Sequence, residues 1–314
     1  MRKIAVVAMA WLMGAWALGA SGSALAQQPL GTLVVAHGAN PEWNAPVEEV
    51  VRQADTGGPV EVAFLMGPAA AERRFQDAVR ELAEAGAGMI VVVPLFVSSH
   101  SGHYEQMRWL VGETDSLSEV MREHLHHAGI ERPDLAVPLV LAPALDDAPE
   151  LARVLADRAR ALTASPGEHA LFLVGHGPNS AEDHAAWMEN LRPVADTVRE
   201  ETGFADVEIG LVRDDAPDAV RAEAVREIRE TIELQHRATG RDVVVVPILI
   251  SSGRVNTEKI PADLEGLPII YDGAPLLPHP AITRWIESSV RTIAAAAAAG
   301  PTARAAKPGA GTKR

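Results

Sequence analysis

The sequence predicts an α/β fold made of two tandem-duplicated lobes, each a four-stranded, mostly parallel sheet with helices on both faces. Three observations carry this expectation. First, the chain repeats itself: Leu33-Val-Val-Ala-His37-Gly38 returns as Leu171-Phe-Leu-Val-Gly-His176-Gly177, and Val91-Val-Val-Pro-Leu-Phe-Val-Ser-Ser99 returns as Val244-Val-Val-Pro-Ile-Leu-Ile-Ser-Ser252. A third pair, Leu141-Ala-Pro-Ala-Leu145 and Gly273-Ala-Pro-Leu-Leu277, follows in the same order, so the match is collinear rather than a chance word. Second, short apolar runs alternate with longer stretches in which apolar residues recur every three or four positions, the pattern of βαβ units. Third, the short runs are apolar on both faces, as a parallel sheet covered by helices requires.

In the first repeat the apolar runs place strands at Thr32–Ala36, Val60–Met66, Met89–Val97 and Val137–Ala142, with helices at Ala45–Gln53, Ala70–Ala85 and Asp146–Leu162. The second repeat offers strands at Ala170–Val174, Val207–Val212, Val243–Ile250 and Pro268–Tyr271, with helices near Ala181–Glu201 and Asp218–Thr239. About 20 extra residues follow the third strand of the first repeat, within Tyr104–Pro133, and read as a helix over Glu105–Leu110 and another over Leu117–His127, placed to lean over a site. The Pro-Gly pair in Ser165-Pro-Gly-Glu168 breaks the preceding helix and marks the boundary between repeats. The expected organisation is a signal peptide over 1–26, lobes over 27–165 and 166–293, each able to bury a core of its own, and a disordered Ala/Pro/Gly/Lys tail over 294–314.

The first 26 residues combine a basic start at Arg2 and Lys3, an apolar run and the ending Ala24-Leu25-Ala26. That is the pattern of a cleaved secretory signal, and the expected location is periplasmic or otherwise exported, with no stable membrane insertion after cleavage. There is no cysteine in the 314 residues, so disulfides and thiolate metal sites are excluded and any metal must use His, carboxylate or backbone oxygen. The net charge is −14, and about −20 on the body between the two basic ends, which argues against nucleic acid as a partner.

The residues that can carry chemistry are histidines at strand ends, where open parallel sheets bind ligands. His37 ends the first strand, His100 and His103 follow the third, and His176 ends the first strand of the second repeat. Imidazoles fixed at strand ends suit an open site for a divalent transition metal. The repeats diverge here: after the shared Ser-Ser, the first reads His100-Ser-Gly-His103-Tyr-Glu105, whereas the second reads Gly253-Arg-Val-Asn-Thr. His124, His126 and His127 lie in a polar helical segment and read as solvated surface, and His279, between two prolines, reads as the start of the last helix. Arg108, Arg213 and Arg254 each lie just past a strand end and are candidates for a basic patch; Trp43 and Trp109 are candidates to stack on a flat ligand.

Taken together, the His-Gly after the first strand, the word after the third strand and the Pro-His-Pro before the final helix resemble the class II chelatases of the sirohydrochlorin cobaltochelatase and ferrochelatase type. The family word is roughly Pro-x-Phe-Leu-x-x-Gly-x-His-Val-x-x-Asp-Ile-Pro. The second repeat follows its frame from Pro247 to Pro261 but has Val255 where the family has its metal histidine. The first repeat keeps a histidine in a frame one residue longer, so either His100 or His103 is the counterpart, with His103 preferred because Gly102 precedes it.

The resemblance implies a chelatase-like fold and insertion of a divalent metal into a tetrapyrrole, with no nucleotide. It implies His37 as metal ligand, His103 as ligand and base, His100 or Glu105 as an assisting ligand or proton acceptor, and the three arginines as contacts for substrate carboxylates. Ligand type favours Co²⁺, with Fe²⁺ or Ni²⁺ as alternatives. An exported carrier of metal or tetrapyrrole is the other reading. Because neutral imidazoles are needed, activity is expected to fall below about pH 6.5, the unperturbed histidine value.

Overall fold

Two sheets of four parallel strands form from the predicted runs, in the orders β2-β1-β3-β4 and β6-β5-β7-β8. The structure, a computed structural model, describes residues 29–299. The signal-peptide segment and residues 300–314 of the expected tail lie outside the described residues; within that tail, residues 294–298 are helical rather than irregular. The strands of the first sheet are β1 (Leu30–Ala36), β2 (Val60–Phe64), β3 (Met89–Pro94) and β4 (Leu139–Leu141). Those of the second are β5 (Ala170–Gly175), β6 (Asp206–Leu211), β7 (Val243–Ile248) and β8 (Ile269–Ile270).

The helices are α1 (Pro41–Gln53), α2 (Pro68–Glu72), α3 (Phe75–Glu84), α4 (Gly102–Leu110), α5 (Glu119–His127), α6 (Pro149–Leu162), α7 (Ala181–Thr202), α8 (Asp218–Thr239), α9 (Ile260–Asp263) and α10 (Pro280–Ala298). A short 3₁₀ turn at Pro166–Glu168 joins the repeats. The single helix expected over Ala70–Ala85 is split into α2 and α3, because the Arg73 carbonyl turns out of the helix to accept the backbone N–H of Phe64 at the end of β2, 3.2 Å away. Helix starts and stops follow local chemistry. Asn40 caps α1 through Trp43 N–H at 2.9 Å, His279 caps α10 by accepting from Ala281 N–H at 3.1 Å, and α7 and α8 end on Gly203 and Gly240 at positive φ.

The strands are apolar on both faces because each face meets a different core. Along β1, Val34 and Ala36 point to one side and Leu33 and Val35 to the other; β5 alternates the same way between Leu171 and Leu173 and Phe172 and Val174. The outer face of each sheet has a core of its own, under α3, α4 and α5 in the first lobe and α8 and α9 in the second. The inner faces share one. α6, from the first repeat, packs on α7 and β7 of the second, while α10, from the second repeat, packs on α1, β1 and β3 of the first. The expectation that each lobe closes its own core is corrected by this exchange, which puts α1, α10, α6 and α7 between the sheets as one buried layer. Among the described residues no helix is long and apolar enough to cross a membrane.

A shared layer ties the stability of the lobes together. Trp285 of α10 is 4% exposed in the common core, so Trp285→Ala should cost about 3–5 kcal/mol. Chemical denaturation followed by tryptophan fluorescence and by far-UV circular dichroism should show one coincident transition shifted to lower denaturant; two separated transitions would contradict the shared core.

Candidate metal centre between the lobes

β1 leads to β2 on one side and β3 leads to β4 on the other, so their loops diverge and a crevice opens beyond the carboxyl ends of β1 and β3. His37 is fixed there by its own backbone. Its carbonyl accepts from the N–H groups of Leu65 and Met66 at 3.1 and 2.8 Å. Gly38 follows at φ +83°, where an added Cβ would lie 2.5 Å from the Met66 carbonyl oxygen, so only glycine permits the turn. After β3, the loop is clamped by Asp146, whose carboxylate accepts from Ser99 N–H at 2.7 Å and from Ser99 Oγ at 2.6 Å. Ser101 then caps α4, accepting from Tyr104 N–H at 3.3 Å, and this sets His103 in the first turn of that helix.

The two loops bring the rings of His37 and His103 to 4.9 Å between centroids, at an interplanar angle of 81°. Two imidazoles sharing one ion through bonds of about 2.0–2.1 Å need centres about 5 Å apart. Each ring also has the right nitrogen free. His37 Nδ1 lies 2.8 Å from the Gly38 carbonyl oxygen, which only accepts, so Nδ1 carries the proton. His103 Nδ1 lies 2.8 Å from Gln106 Oε1, and the Gln106 amide nitrogen donates to the Met121 carbonyl at 2.7 Å, which turns Oε1 toward the ring and again places the proton on Nδ1. Both Nε2 lone pairs are left for an ion, the arrangement in which an outer hydrogen bond fixes a ligand tautomer.

Burial keeps these rings neutral. It pushes His37 below the ordinary histidine value. His103 is pushed down to about 4 by burial first and then by neighbouring His37. Loss of ligand capacity below pH 6.5, expected from free histidine, is therefore corrected to more acid pH.

The second lobe closes the other side of the crevice. Trp43 of α1 stands 6.1 Å from the His37 ring, centroid to centroid. Its other neighbour is the loop after β7: Gly253 Cα lies where an added Cβ would be 3.5 Å from Trp43 Cδ1, and Ser251 Oγ donates to the Trp43 carbonyl at 2.8 Å. His176 and Asp215 are near enough for their charges to act on His37. His176 Nδ1 bonds the Gly177 carbonyl at 2.8 Å and its Nε2 lies 3.3 Å from Asp215 Oδ2. Burial opposes charge on His176, but the Asp215 carboxylate and the Gly177 carbonyl outweigh it and raise its proton affinity, while His176 holds Asp215 below the usual carboxylate range.

Donor atoms of His176, Asp214 and Asp215 lie within 4.8 Å of one another. Asp214, however, is buried against Arg221 at 3.3 Å and Lys259, so its charge is already neutralised. Val255, in the place of a second histidine, begins a π-helical turn over Val255–Lys259 and packs on the outer core of its lobe.

Several expected site residues stand elsewhere. His100 is exposed; what it contributes is its backbone carbonyl, which accepts from Trp187 Nε1 of α7 at 2.6 Å. Glu105 is exposed on α4, two residues from His103 and so on another side of the helix, and the position that meets His103 belongs to Gln106. Arg108 pairs with Glu113 at 3.4 Å and Arg254 with Glu258 at 2.9 Å, both on exposed surface. Arg213 is spent on the carbonyls of Pro178 and Asn179, at 3.1 and 2.5 Å. Trp109 lies under the Arg132 guanidinium at 4.6 Å and belongs to the packing of the inserted segment.

Sequence reading passed over Gln106 and Asp215. Three-residue spacing from His103 was the signal for Gln106; a carboxylate just past the end of β6 was the signal for Asp215.

The CbiX family model matches the chain twice, over residues 31–162 and 170–293. The chain belongs to the CbiX family. Among solved structures, this CbiX chain is similar to SirB from Bacillus subtilis with Fe³⁺, at 17% identity and a TM-score of 0.61, over 87% of this chain and 98% of that one. It is also similar to the sirohydrochlorin chelatase SirB from Bacillus subtilis subspecies spizizenii in complex with cobalt, at 15% identity and a TM-score of 0.56, over 88% and 98%. A multi-domain protein from Deinococcus radiodurans with structural similarity to chelatases matches at 18% identity and a TM-score of 0.50, over 83% of this chain and 54% of that one. At these identities the likeness shows the fold. No curated protein sequence matches the chain.

The geometry yields two expected outcomes. Gln106→Leu should weaken Co²⁺ binding about 10- to 100-fold, as loss of an outer partner does, which isothermal titration checks. Co²⁺ affinity of the wild-type protein should be lost at a more acid pH than free imidazoles would give, because burial lowers both rings, His103 to about 4; isothermal titration over a series of pH values checks it. Stability has the same sign: below about pH 6.5 the unfolded chain binds protons that the buried rings refuse, so the fold weakens as pH drops toward 4.

Proposed function

We propose that this CbiX-family chain is a metal chelatase that inserts a divalent transition ion into a sirohydrochlorin-like tetrapyrrole without ATP. The observation that carries the reading is the pair His37 and His103, their ring centres 4.9 Å apart, with both Nδ1 atoms tied to protein oxygens and neither Nε2 hydrogen-bonded among the described residues. Such a pair holds an ion while leaving most of its coordination sphere open to an incoming macrocycle. Cobalt is the first choice of metal, with Fe²⁺ and Ni²⁺ as alternatives; a relative of the same fold is described as a sirohydrochlorin chelatase in complex with cobalt.

In the proposed reaction the ion enters as substrate, on His37 and His103. The macrocycle lies along the crevice with one face toward Trp43, whose ring flanks His37. Two pyrrole N–H bonds break, four nitrogens bind the ion, two protons leave and the imidazoles are released. No electron transfer is involved. The neutrality that burial imposes on both rings keeps their lone pairs available for the first step. The pattern of residues 1–26 supports an exported location, and in this reading the reaction takes place outside the cytoplasm.

The test is turnover of sirohydrochlorin with Co²⁺ by the protein from Gln27 onward, read as the shift in macrocycle absorption. Catalysis predicts product in many-fold excess over protein, and His37→Ala or His103→Ala should lower the rate at least 100-fold. Saturation at one equivalent would instead identify a carrier.

A further inference from the structure

Both repeats follow their third strand with the same Ser-Ser, yet the two loops are held differently. Ser99 gives its N–H and its Oγ–H to the Asp146 carboxylate, at 2.7 and 2.6 Å, and Ser99 Oγ accepts from Ala144 N–H at 2.9 Å. Its counterpart Ser252 is exposed. Backbone bonds show what stands opposite each serine. Asp146 N–H donates to the Val97 carbonyl at 2.9 Å, and the matching bond of the second repeat runs from Leu277 N–H to the Ile250 carbonyl at 3.0 Å. A buried leucine therefore takes the place of Asp146 in the repeat whose loop carries Val255 instead of a histidine. Asp146 itself sits at φ +42°, in the left-handed region that Asp and Asn enter more readily than other side chains.

α7 adds a second hold, from the other repeat. Asn190 Nδ2 donates to Asp146 Oδ1 at 3.2 Å, and Trp187 Nε1, three residues earlier and so on the same side of the helix, donates to the His100 carbonyl at 2.6 Å. Counted from the caps Asn40 and Ser180, the matching positions of α1 are Val47 and Val50, both fully buried. Polar donors thus stand on α7 at the two positions that meet the histidine loop. From there the hold passes along the chain to the ligand. His100 N–H donates to Ser98 Oγ at 3.1 Å, Ser101 Oγ donates to the Ser98 carbonyl at 3.3 Å, and Ser101 caps the helix that carries His103.

We propose that α7 of the second repeat completes the metal centre: Asp146, Asn190 and Trp187 are positioning residues that fix the Ser99–Ser101 segment and, through it, the direction of His103 Nε2. The inference rests on the His37 and His103 pair of the chelatase reading. Its three residues act through the loop and do not ligate the ion. His37 has no need of them, since Gly38 holds its ring directly; His103 stands in the first turn of α4, whose start is set by this loop. The repeat without a histidine in its own loop serves in this way as the outer wall of the loop that has one.

The test is Co²⁺ titration, with the visible ligand-field spectrum of bound Co²⁺ and thermal melting, of Asp146→Gly, Asp146→Asn and Trp187→Phe. Glycine accepts φ +42° and removes the carboxylate; phenylalanine keeps a buried ring and removes the N–H. Both should weaken Co²⁺ binding about 10-fold or more, the scale of a lost outer partner, and both should shift the Co²⁺ bands, because His103 then meets the ion at a different angle. Asp146→Asn keeps an acceptor oxygen for Ser99 N–H and Asn190 and offers its amide to Ser99 Oγ, so it should bind Co²⁺ within about three-fold of wild type, with unchanged bands. Wild-type affinity and bands in both Asp146→Gly and Trp187→Phe, whatever their melting temperatures, would overturn the assignment. Failure of the His37 and His103 centre is seen separately, as absence of Co²⁺ binding by the wild-type protein.

Discussion

Everything at the site depends on one kind of contact, the hydrogen bond that takes up Nδ1 of a histidine at a strand end. For His37 the acceptor is the carbonyl of the next residue, Gly38, at 2.8 Å, and His176 repeats the arrangement with Gly177 at the same distance. The bond is possible because glycine takes positive φ and lets the chain fold back on the ring. It settles ring orientation and tautomer together, and a lone pair is left facing the crevice. His103 reaches the same state by another route, through a side chain one helical turn away whose amide is held by α5. Without these bonds the rings would spin and share the proton between nitrogens, and a binding geometry would have to be assembled at the expense of affinity.

The crevice is kept open and rigid by the exchange of helices between repeats. α6 and α10 each cross to the sheet of the other repeat, so the two lobes cannot separate without exposing the shared inner core. The same exchange positions Trp43 against the Gly253 loop and Trp187 against the His100 carbonyl, two contacts that cross the interface in opposite directions. Duplication thus supplied two crevices and divergence made them unequal. In the first, the loop after β3 carries a histidine; in the second, Val255 stands in that place and packs on the outer core, and Asp214 is tied into ion pairs with Arg221 and Lys259. The second repeat still contributes, by presenting the His176 and Asp215 pair to the first.

Much of this was legible in the sequence, for a physical reason. Strand runs that are apolar on both faces, and a collinear repeat, report the local pattern of parallel sheets directly, so all eight strands fell close to their expected places, as did the long helices, whereas the short α9 went unread. The break between α2 and α3 was not legible, because it depends on a hydrogen bond to β2 rather than on helix periodicity. Nor was the swap of α6 and α10, since amphipathic spacing shows that a helix has an apolar face and not which sheet it covers. Their places at strand ends singled out His37 and His103, whose rings the structure brings together. Glu105 was chosen for its nearness to the histidines and the three arginines for their places just past strand ends, and the structure spends them on solvent, local ion pairs or backbone carbonyls. His124 reads like its exposed neighbours but is half-buried, because the burial of one face of a short helix is decided by what packs against it.

The measurement that bears most directly on the account is the location of Co²⁺ in crystals of the protein by anomalous diffraction. The account predicts one ion bonded to Nε2 of His37 and Nε2 of His103, at about 2.0–2.2 Å, with Gln106 still bonded to His103. An ion seated instead on His176, Asp214 and Asp215, with His37 and His103 bare, would contradict it.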